Sequence, residues 1–288
     1  MVVWAVHADL HCHSTASDGT ATPREIVRLA AASGIALLSL TDHDTTAGCP
    51  EARVAASEAG IRFLDGVELS AEGAPGRCHI LGLGIRGDDP AFNAKLAEIS
   101  ERRRDRNAGM IERLQSMGVD LDLETVTAHA PPGANIGRPH FAAAMVARRI
   151  VPDIDTAFRR YLGDGASAFV QRESLTPAEA IEWIHRAGGL AFLAHPFLMR
   201  LREHETLAGR VSVLKDAGLD GIEVWYSGHS PAQEAKLARL AVAEGLLGSG
   251  GSDFHGTAKP TIRLGKVRSG APLAIELLPE ALIERAGA

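Results

Sequence analysis

The 288-residue chain predicts an α/β fold: a barrel of alternating strands and helices, with a helical insertion beside its mouth. Three observations carry that expectation. Short apolar runs alternate with helical patterns, polar residues capable of chemistry recur at the ends of those runs, and one stretch from about residue 91 to 170 breaks the rhythm. A doubly wound sheet gathers such residues at one switch point, whereas a barrel spreads them over many strand ends.

The first run, "VVWAVHADLHCH", predicts a strand that ends in His11 and His13. "TPREIVRLAAASG" predicts a helix, with Thr22 as cap, Pro23 in the first turn and Gly34 as its end. "IALLSLTDHDT" is a second strand reaching Asp42 and His43, followed by the helical "CPEARVAASEAG". "IRFLDGVELSAEG" then brings Glu68, and "RCHILGLGI" carries His79 inside a short apolar run.

The segment that breaks the rhythm opens with one long helical pattern, "AFNAKLAEISERRRDRNAGMIERLQSMG". Three shorter helices are expected after it, around the turn-rich "PPGANIGRPH". Alternation resumes with the helix "TPAEAIEWIHRAGG", the strand "LAFLAHP" with His195, and "GIEVWYSGHS" with Glu223 at its end. The helix "SPAQEAKLARLAVAEG" and the strand "LLGSGGSDFHG", with Asp253 and His255, complete the series. The expected division is a barrel from 1–90 and 171–288 and an insertion over 91–170.

The chain is 45% hydrophobic and 23% charged, which is ordinary globular composition. A net charge of −6 and a pI near 6.1 argue against a large nucleic-acid surface. They leave room for a small phosphorylated ligand in a local positive pocket. No run approaches the roughly 20 apolar residues of a spanning helix, and the start lacks the pattern of a signal peptide, so no membrane partner is expected. Cys12, Cys49 and Cys78 are few, odd in number and unpatterned, which points to a reducing cytoplasm.

Side chains two apart on a strand share a face, so His11 and His13 form a pair, and Asp253 and His255 repeat the spacing. A lone His-x-His is most often incidental. Five strand ends carrying imidazole or carboxylate make coincidence a poor account, and the donor types suit divalent ions such as Zn, Mn or Fe.

Taken in order, "DLHCHSTASDG", "LTDHDT", "GVELSAEG", "CHILGLG", "AHP" and "GSDFHG" resemble the PHP (polymerase and histidinol phosphatase) superfamily over nearly the whole chain. The resemblance implies a distorted (β/α)7 barrel acting as a metal-dependent phosphoesterase. Two or three divalent ions are implied, Mn foremost, with Zn, Fe or Mg as alternatives. By position, His11, His13, Glu68 and Asp253 hold one ion. Glu68 bridges to a second, completed by His79 and His195, while Asp18, His43 and His255 hold the third.

"NIGRPHFA" and "YLGDGASAFVQRE" resemble a bacterial subfamily associated with 3′,5′-nucleoside bisphosphate phosphatase activity and trimming of short RNA. The implied reaction is attack of a metal-bound hydroxide on the 3′-phosphate. Arg138, His140 and Arg172 are then the candidates for a second anion pocket, Ser14 and Lys259 for phosphate contacts, and His229 for the leaving-group acid. Asp42 and Asp44 are expected to orient ligands from behind. Arg102, Arg103, Arg104 and Arg106 alternate with acids and are expected on a solvated face, or guiding an RNA strand if that helix borders the mouth. Cys12 and Cys78 are expected to turn toward the helical layer. The partner is a small nucleotide or a short RNA end. The competing readings are a 5′-3′ exoribonuclease, a histidinol phosphatase, an amidohydrolase of C–N bonds and a non-catalytic accessory domain.

Overall fold

A computed structural model describes residues 7–73 and 76–286. The beginning of the first predicted strand, residues 2–6, lies outside the described residues. Seven strands follow one another around the sheet in chain order: β1 (His7–Asp9), β2 (Ile35–Leu40), β3 (Arg62–Ala71), β4 (Cys78–Leu83), β5 (Leu190–Leu193), β6 (Gly221–Tyr226) and β7 (Leu247–Gly251). The ring closes where the chain leaving β1 meets the chain leaving β7. There the Leu10 amide donates to Gly250 O at 3.1 Å, Asp253 to His11 O at 2.7 Å and His13 to Phe254 O at 2.9 Å.

The distortion is one reversed strand. β4 runs antiparallel to both β3 and β5, while the other adjacent strands of the ring pair in parallel. The reversal brings the first residues of β4 to the end of the barrel where the other strands finish. His79, its second residue, therefore reaches the mouth. A hairpin of β8 (Lys266–Val267) and β9 (Ala271–Ala274) lies along the start of β1.

Two helices cover one side, α1 (Pro23–Ala32) and α2 (Cys49–Ala59). Thr22 caps α1 in a box with Glu25, which satisfies two otherwise orphaned amides. Ile26, Val27, Ala30, Ala52 and Ala56 pack there against Cys12, Leu38 and Leu40. Cys12 and Cys78 are buried in the outer layers, as the sequence suggested.

Between β4 and β5 come α3 (Pro90–Ser116), α4 (Leu123–Ala128), α5 (Arg138–Ala147) and α6 (Ile154–Ala157), the last continuing as a π-helical turn to Leu162. Met110, Leu114, Val126, Phe141, Met145 and Leu162 form a core of their own. α7 (Pro177–Arg186), α8 (Leu207–Asp216) and α9 (Pro231–Glu244) cover the far side, and α10 (Glu280–Arg285) ends the described chain. Among the described residues no helix is long and apolar enough to cross a membrane.

α3 corrects one expectation. Its buried stripe runs Phe92, Leu96, Ile99, Arg103, Arg106, Met110, Leu114, so two arginines occupy inward positions of a three-and-four spacing. Arg103 and Arg106 are buried, and only Arg104 of the cluster is a solvated residue. The physical reason is that α3 packs on the barrel's outer core at one end and on the insertion core at the other. Between the two it crosses the mouth.

Gly251 marks a close approach at the ring closure. A Cβ there would lie 2.4 Å from both Cβ and N of His11. Gly251→Ala is expected to cost at least about 2 kcal/mol by overpacking. A thermal melt should therefore shift down by about 4–8 °C, and an unchanged melt would contradict this packing.

Candidate metal centre and anion pocket

Polar side chains from every strand of the ring except β6 converge at the mouth, and β6 supports them from beneath. His11 and His13 follow β1, His43 follows β2, Glu68 lies within β3, His79 opens β4, His195 follows β5, and Asp253 and His255 follow β7. Glu68 is central. Its Oε2 faces His11 Nε2 at 3.3 Å, His13 Nε2 at 3.2 Å and His43 Nδ1 at 3.1 Å. Its Oε1 faces His79 Nδ1 at 2.7 Å and His195 Nε2 at 2.9 Å.

Asp253 Oδ1 lies 3.6 Å from His11 Nε2 and 3.4 Å from His13 Nε2. Asp18 sits 3.3 Å from His255 Nε2 and 3.8 Å from His43 Nε2. Four groups of potential donors thus form, each within 4.8 Å: His11–His13–Asp253, His11–Glu68–His195, His43–Glu68–His79 and His13–Asp18–His43–His255. All nine residues singled out as ligands come together. His11, His13, His43 and Glu68 each belong to two groups, so the boundaries between the three expected sites are less sharp than the sequence implied.

These residues fit divalent ions on the structure's own terms. His11 Nε2, both ring nitrogens of His13 and His43 Nδ1 are buried without a hydrogen bond, although carboxylate oxygens stand close by. A cation between imidazole and carboxylate removes that deficit.

The supporting residues were mostly missed from the sequence. Glu223 stands in the middle of β6, not at its end as expected. Its Oε1 pairs with His11 Nδ1 at 2.9 Å and its Oε2 accepts from the His195 amide at 2.6 Å. Tyr226 Oη and Lys259 Nζ donate to Asp253 Oδ2 at 2.9 and 2.7 Å, leaving Oδ1 for the centre. An acid inside the apolar strand "GIEVWY" was the available signal. Asp44, His195 and Asp253 adopt positive φ of 54°, 29° and 57°, strained conformations of the kind retained where function needs them.

The field is strongly coupled. Burial lowers the pKa of His11, but Glu223 and Glu68 outweigh it and hold the group well above the ordinary imidazole value. His13 likewise overcomes burial through Asp253 and Glu68 and rises to about 9. Burial wins at His43, which falls to about 3. Glu68, Asp18 and Asp253 overcome burial through neighbouring cationic groups and lie well below the carboxylate range.

Beside the histidines opens a cavity of about 200 Å³, bordered by Asp18, His43 and His79 and lined by Arg77, Arg103, Arg106, Arg138 and Arg172, with Phe158 and Phe169. Asp44 pairs with Arg103 and with Arg172, the latter at 3.0 Å. Asp164 pairs with Arg77 and with Arg138, the latter at 2.9 Å. Among the described residues no carboxylate pairs with Arg106, and its Nε and Nη2 are buried without partners. Burial and the cations Arg103, Arg172 and Arg138 push it down to about 8. An anion relieves that strain.

Three expected contacts are corrected. Ser14 is fully buried and its hydroxyl donates to Asp42 Oδ2 at 2.6 Å, so it orients the loop after β1 and does not face the cavity. His140 accepts from the Gly137 amide at 3.0 Å as part of the α5 cap. His229 pairs with Val224 O at 3.0 Å and packs behind Tyr226, away from the cleft. Arg138 and Arg172 do line the cavity, and Lys259 faces the ligand cluster.

Residues 9–111 match the PHP domain. The chain is 41% identical over 248 residues to a 3′,5′-nucleoside bisphosphate phosphatase of Chromobacterium violaceum, covering 86% of each. It is 39% identical over 247 residues to a 5′-3′ exoribonuclease of Haemophilus influenzae, covering 86% of this chain and 89% of that one. A solved structure described as an amidohydrolase from Chromobacterium violaceum, with sulfate and no metal bound, superposes with a TM-score of 0.87 at 36% identity over 97% of both chains.

Proposed function

The chain belongs to the PHP family of phosphoesterases, and from that premise we propose that it removes the 3′-phosphate of 3′,5′-bisphosphate nucleotides such as adenosine 3′,5′-bisphosphate. The observation that carries this reading is Arg106, an unpaired buried guanidinium in a cavity adjoining the ligand cluster. A substrate with one phosphate at the cluster and another in that cavity satisfies both. Arg103 and Arg172, steadied by Asp44, and Arg138, steadied by Asp164, complete the second anion subsite. Phe158 and Phe169 supply apolar surface for the nucleoside between them. Residues 91–170, which contribute Arg103, Arg106 and Arg138, then serve as the substrate-recognition insertion.

His11, His13, Asp18, His43, Glu68, His79, His195, Asp253 and His255 would hold two or three divalent ions, Mn foremost. When bound, such ions supply Lewis acidity for the phosphoryl oxygens and acidify water. Glu223 orients His11 and the turn bearing His195, while Tyr226 and Lys259 fix Asp253. The buried, unpaired cysteines support a cytoplasmic setting.

The experiment is phosphate release by Mn-loaded protein from adenosine 3′,5′-bisphosphate against adenosine 5′-monophosphate, with product identification. The expected product is 5′-AMP, itself turned over poorly. Equal release from both, or 3′-AMP as product, would contradict the reading.

Metal uptake has its own signature. Imidazoles must be neutral to ligate, and against the pull of burial the neighbouring carboxylates raise His11 well above its ordinary value and His13 to about 9, so metal and protons compete for them. Uptake at pH 7 is expected to release protons, measurable by calorimetry in buffers of different ionisation enthalpy. The linked stability has a definite sign. His13 stabilises the metal-free fold below its ordinary value of 6.5, and that contribution disappears as pH rises through about 9. Metal-free melts should fall across that window and loaded ones should not.

A further inference from the structure

The connection from α4 to α5 meets both the ligand cluster and the arginine cavity. It holds no helix or strand between Ala128 and Arg138, and Asn135 is the residue where the two meet. The Asn135 amide N–H donates to Ala16 O at 3.0 Å, and its side-chain Nδ2 donates to His43 O at 3.0 Å. Ala16 belongs to the loop that carries Asp18. One residue of the insertion therefore grips two of the segments that supply the His13–Asp18–His43–His255 group. Asp42 holds the first of them from behind, through the Ser14 amide and the Ser14 and Ser17 hydroxyls.

The same connection is fixed to the wall of the arginine cavity. Ser100 Oγ donates to Asn135 Oδ1 at 3.4 Å and Asn107 Nδ2 donates to Ile136 O at 3.1 Å, both from α3. Arg103 and Arg106 lie on α3 between those two donors. Gly137 approaches Arg103 so closely that a Cβ there would stand 3.2 Å from Nη1, and Arg138 follows it into the cavity. Residues 135–138 thus join the backbone of two ligand-bearing segments to the wall that carries Arg103, Arg106 and Arg138. A side chain that grips ligand loops can fix the donors only while it is itself fixed. An anion that draws those three arginines together fixes it.

We propose that Asn135 is a positioning residue that couples the two halves of the site, so that a 5′-phosphate among the arginines and a divalent ion at Asp18, His43 and His255 strengthen each other's binding. This rests on the arginine cavity holding the 5′-phosphate, as in the proposed function. The coupling is reciprocal by linkage: whatever factor the nucleotide adds to the ion's affinity, the ion adds to the nucleotide's. An ester without the second anion then meets a centre that is less completely loaded, so Asn135 adds to selectivity for the bisphosphate. The His11–Glu68–His195 group takes no donor from the two segments that Asn135 grips, and it serves as the internal control.

The test uses the full chain and adenosine 5′-monophosphate, which carries the anion but no 3′-phosphate. Mn is titrated by calorimetry with and without saturating AMP, against a protein-free titration that accounts for Mn–AMP association. In the wild-type protein AMP is expected to tighten the weakest Mn site by about ten-fold. Asn135→Leu keeps the side-chain volume and removes both side-chain hydrogen bonds. It should weaken that site by about ten-fold without nucleotide, leave the tightest site unchanged and abolish the effect of AMP. A thermal melt checks the fold, and Asn135→Ala takes its place if the leucine variant does not fold. Coupling that persists in the variant would show that anion and ion meet directly, and equal weakening of every Mn site would show a structural role only; either overturns the proposal. AMP that binds the wild-type protein without changing its Mn affinity overturns the coupling alone. AMP that fails to bind the metal-free protein in EDTA counts against the proposed function as well, and the two failures are thereby told apart.

Discussion

Replacing Arg106 with methionine is expected to lower kcat/KM for adenosine 3′,5′-bisphosphate by about 30- to 100-fold, the worth of a charge-assisted contact in a desolvated pocket. Adenosine 3′-monophosphate, which lacks the second anion, should lose far less. The same substitution should leave the melting temperature unchanged or raise it. Arg106 is buried among Arg103, Arg138 and Arg172 with no carboxylate of its own, so the fold bears a cost that an apolar side chain of similar length removes. Activity falling while stability holds separates a substrate-binding arginine from a structural one. A parallel loss of both would show that Arg106 supports the fold instead.

Glu68→Gln is expected to have the larger effect on turnover, on the order of 10³-fold or more for both substrates, because it removes the charge shared among the donors. One carboxylate faces five imidazoles, three through Oε2 and two through Oε1. The amide keeps the volume but halves the acceptor capacity and removes the negative charge. Bound metal per chain, read by elemental analysis after gel filtration, should fall with activity. Full metal content in an inactive variant would mean that Glu68 acts on the substrate and not on the ions.

These two residues were unequally legible. Glu68 was legible as a carboxylate at a strand end whose bridging role came from the family resemblance, and the His-x-His and Asp-x-His spacings around it follow from strand geometry alone. The closed ring was also legible in the strand–helix rhythm, but the reversal of β4 was not, since parallel and antiparallel strands share one periodicity. Arg106 was misread because arginines interleaved with acids on a long helix look solvated. The signal was nonetheless present: Arg103 and Arg106 continue the stripe set by Phe92, Leu96 and Ile99 and resumed at Met110. Charges in inward register imply something inside for them to meet. Ser14, His140 and His229 erred the other way, since whether a polar side chain faces the cavity or caps its own backbone depends on tertiary placement.

The most direct measurement is the ratio of kcat/KM for adenosine 3′,5′-bisphosphate to that for adenosine 3′-monophosphate in the metal-loaded wild-type protein. Both present the same scissile P–O3′ bond, and only one carries the anion for the arginine cavity. A preference of about 100-fold for the bisphosphate is the predicted result. Equal values would contradict the account, leaving a phosphoesterase whose arginines serve some other purpose.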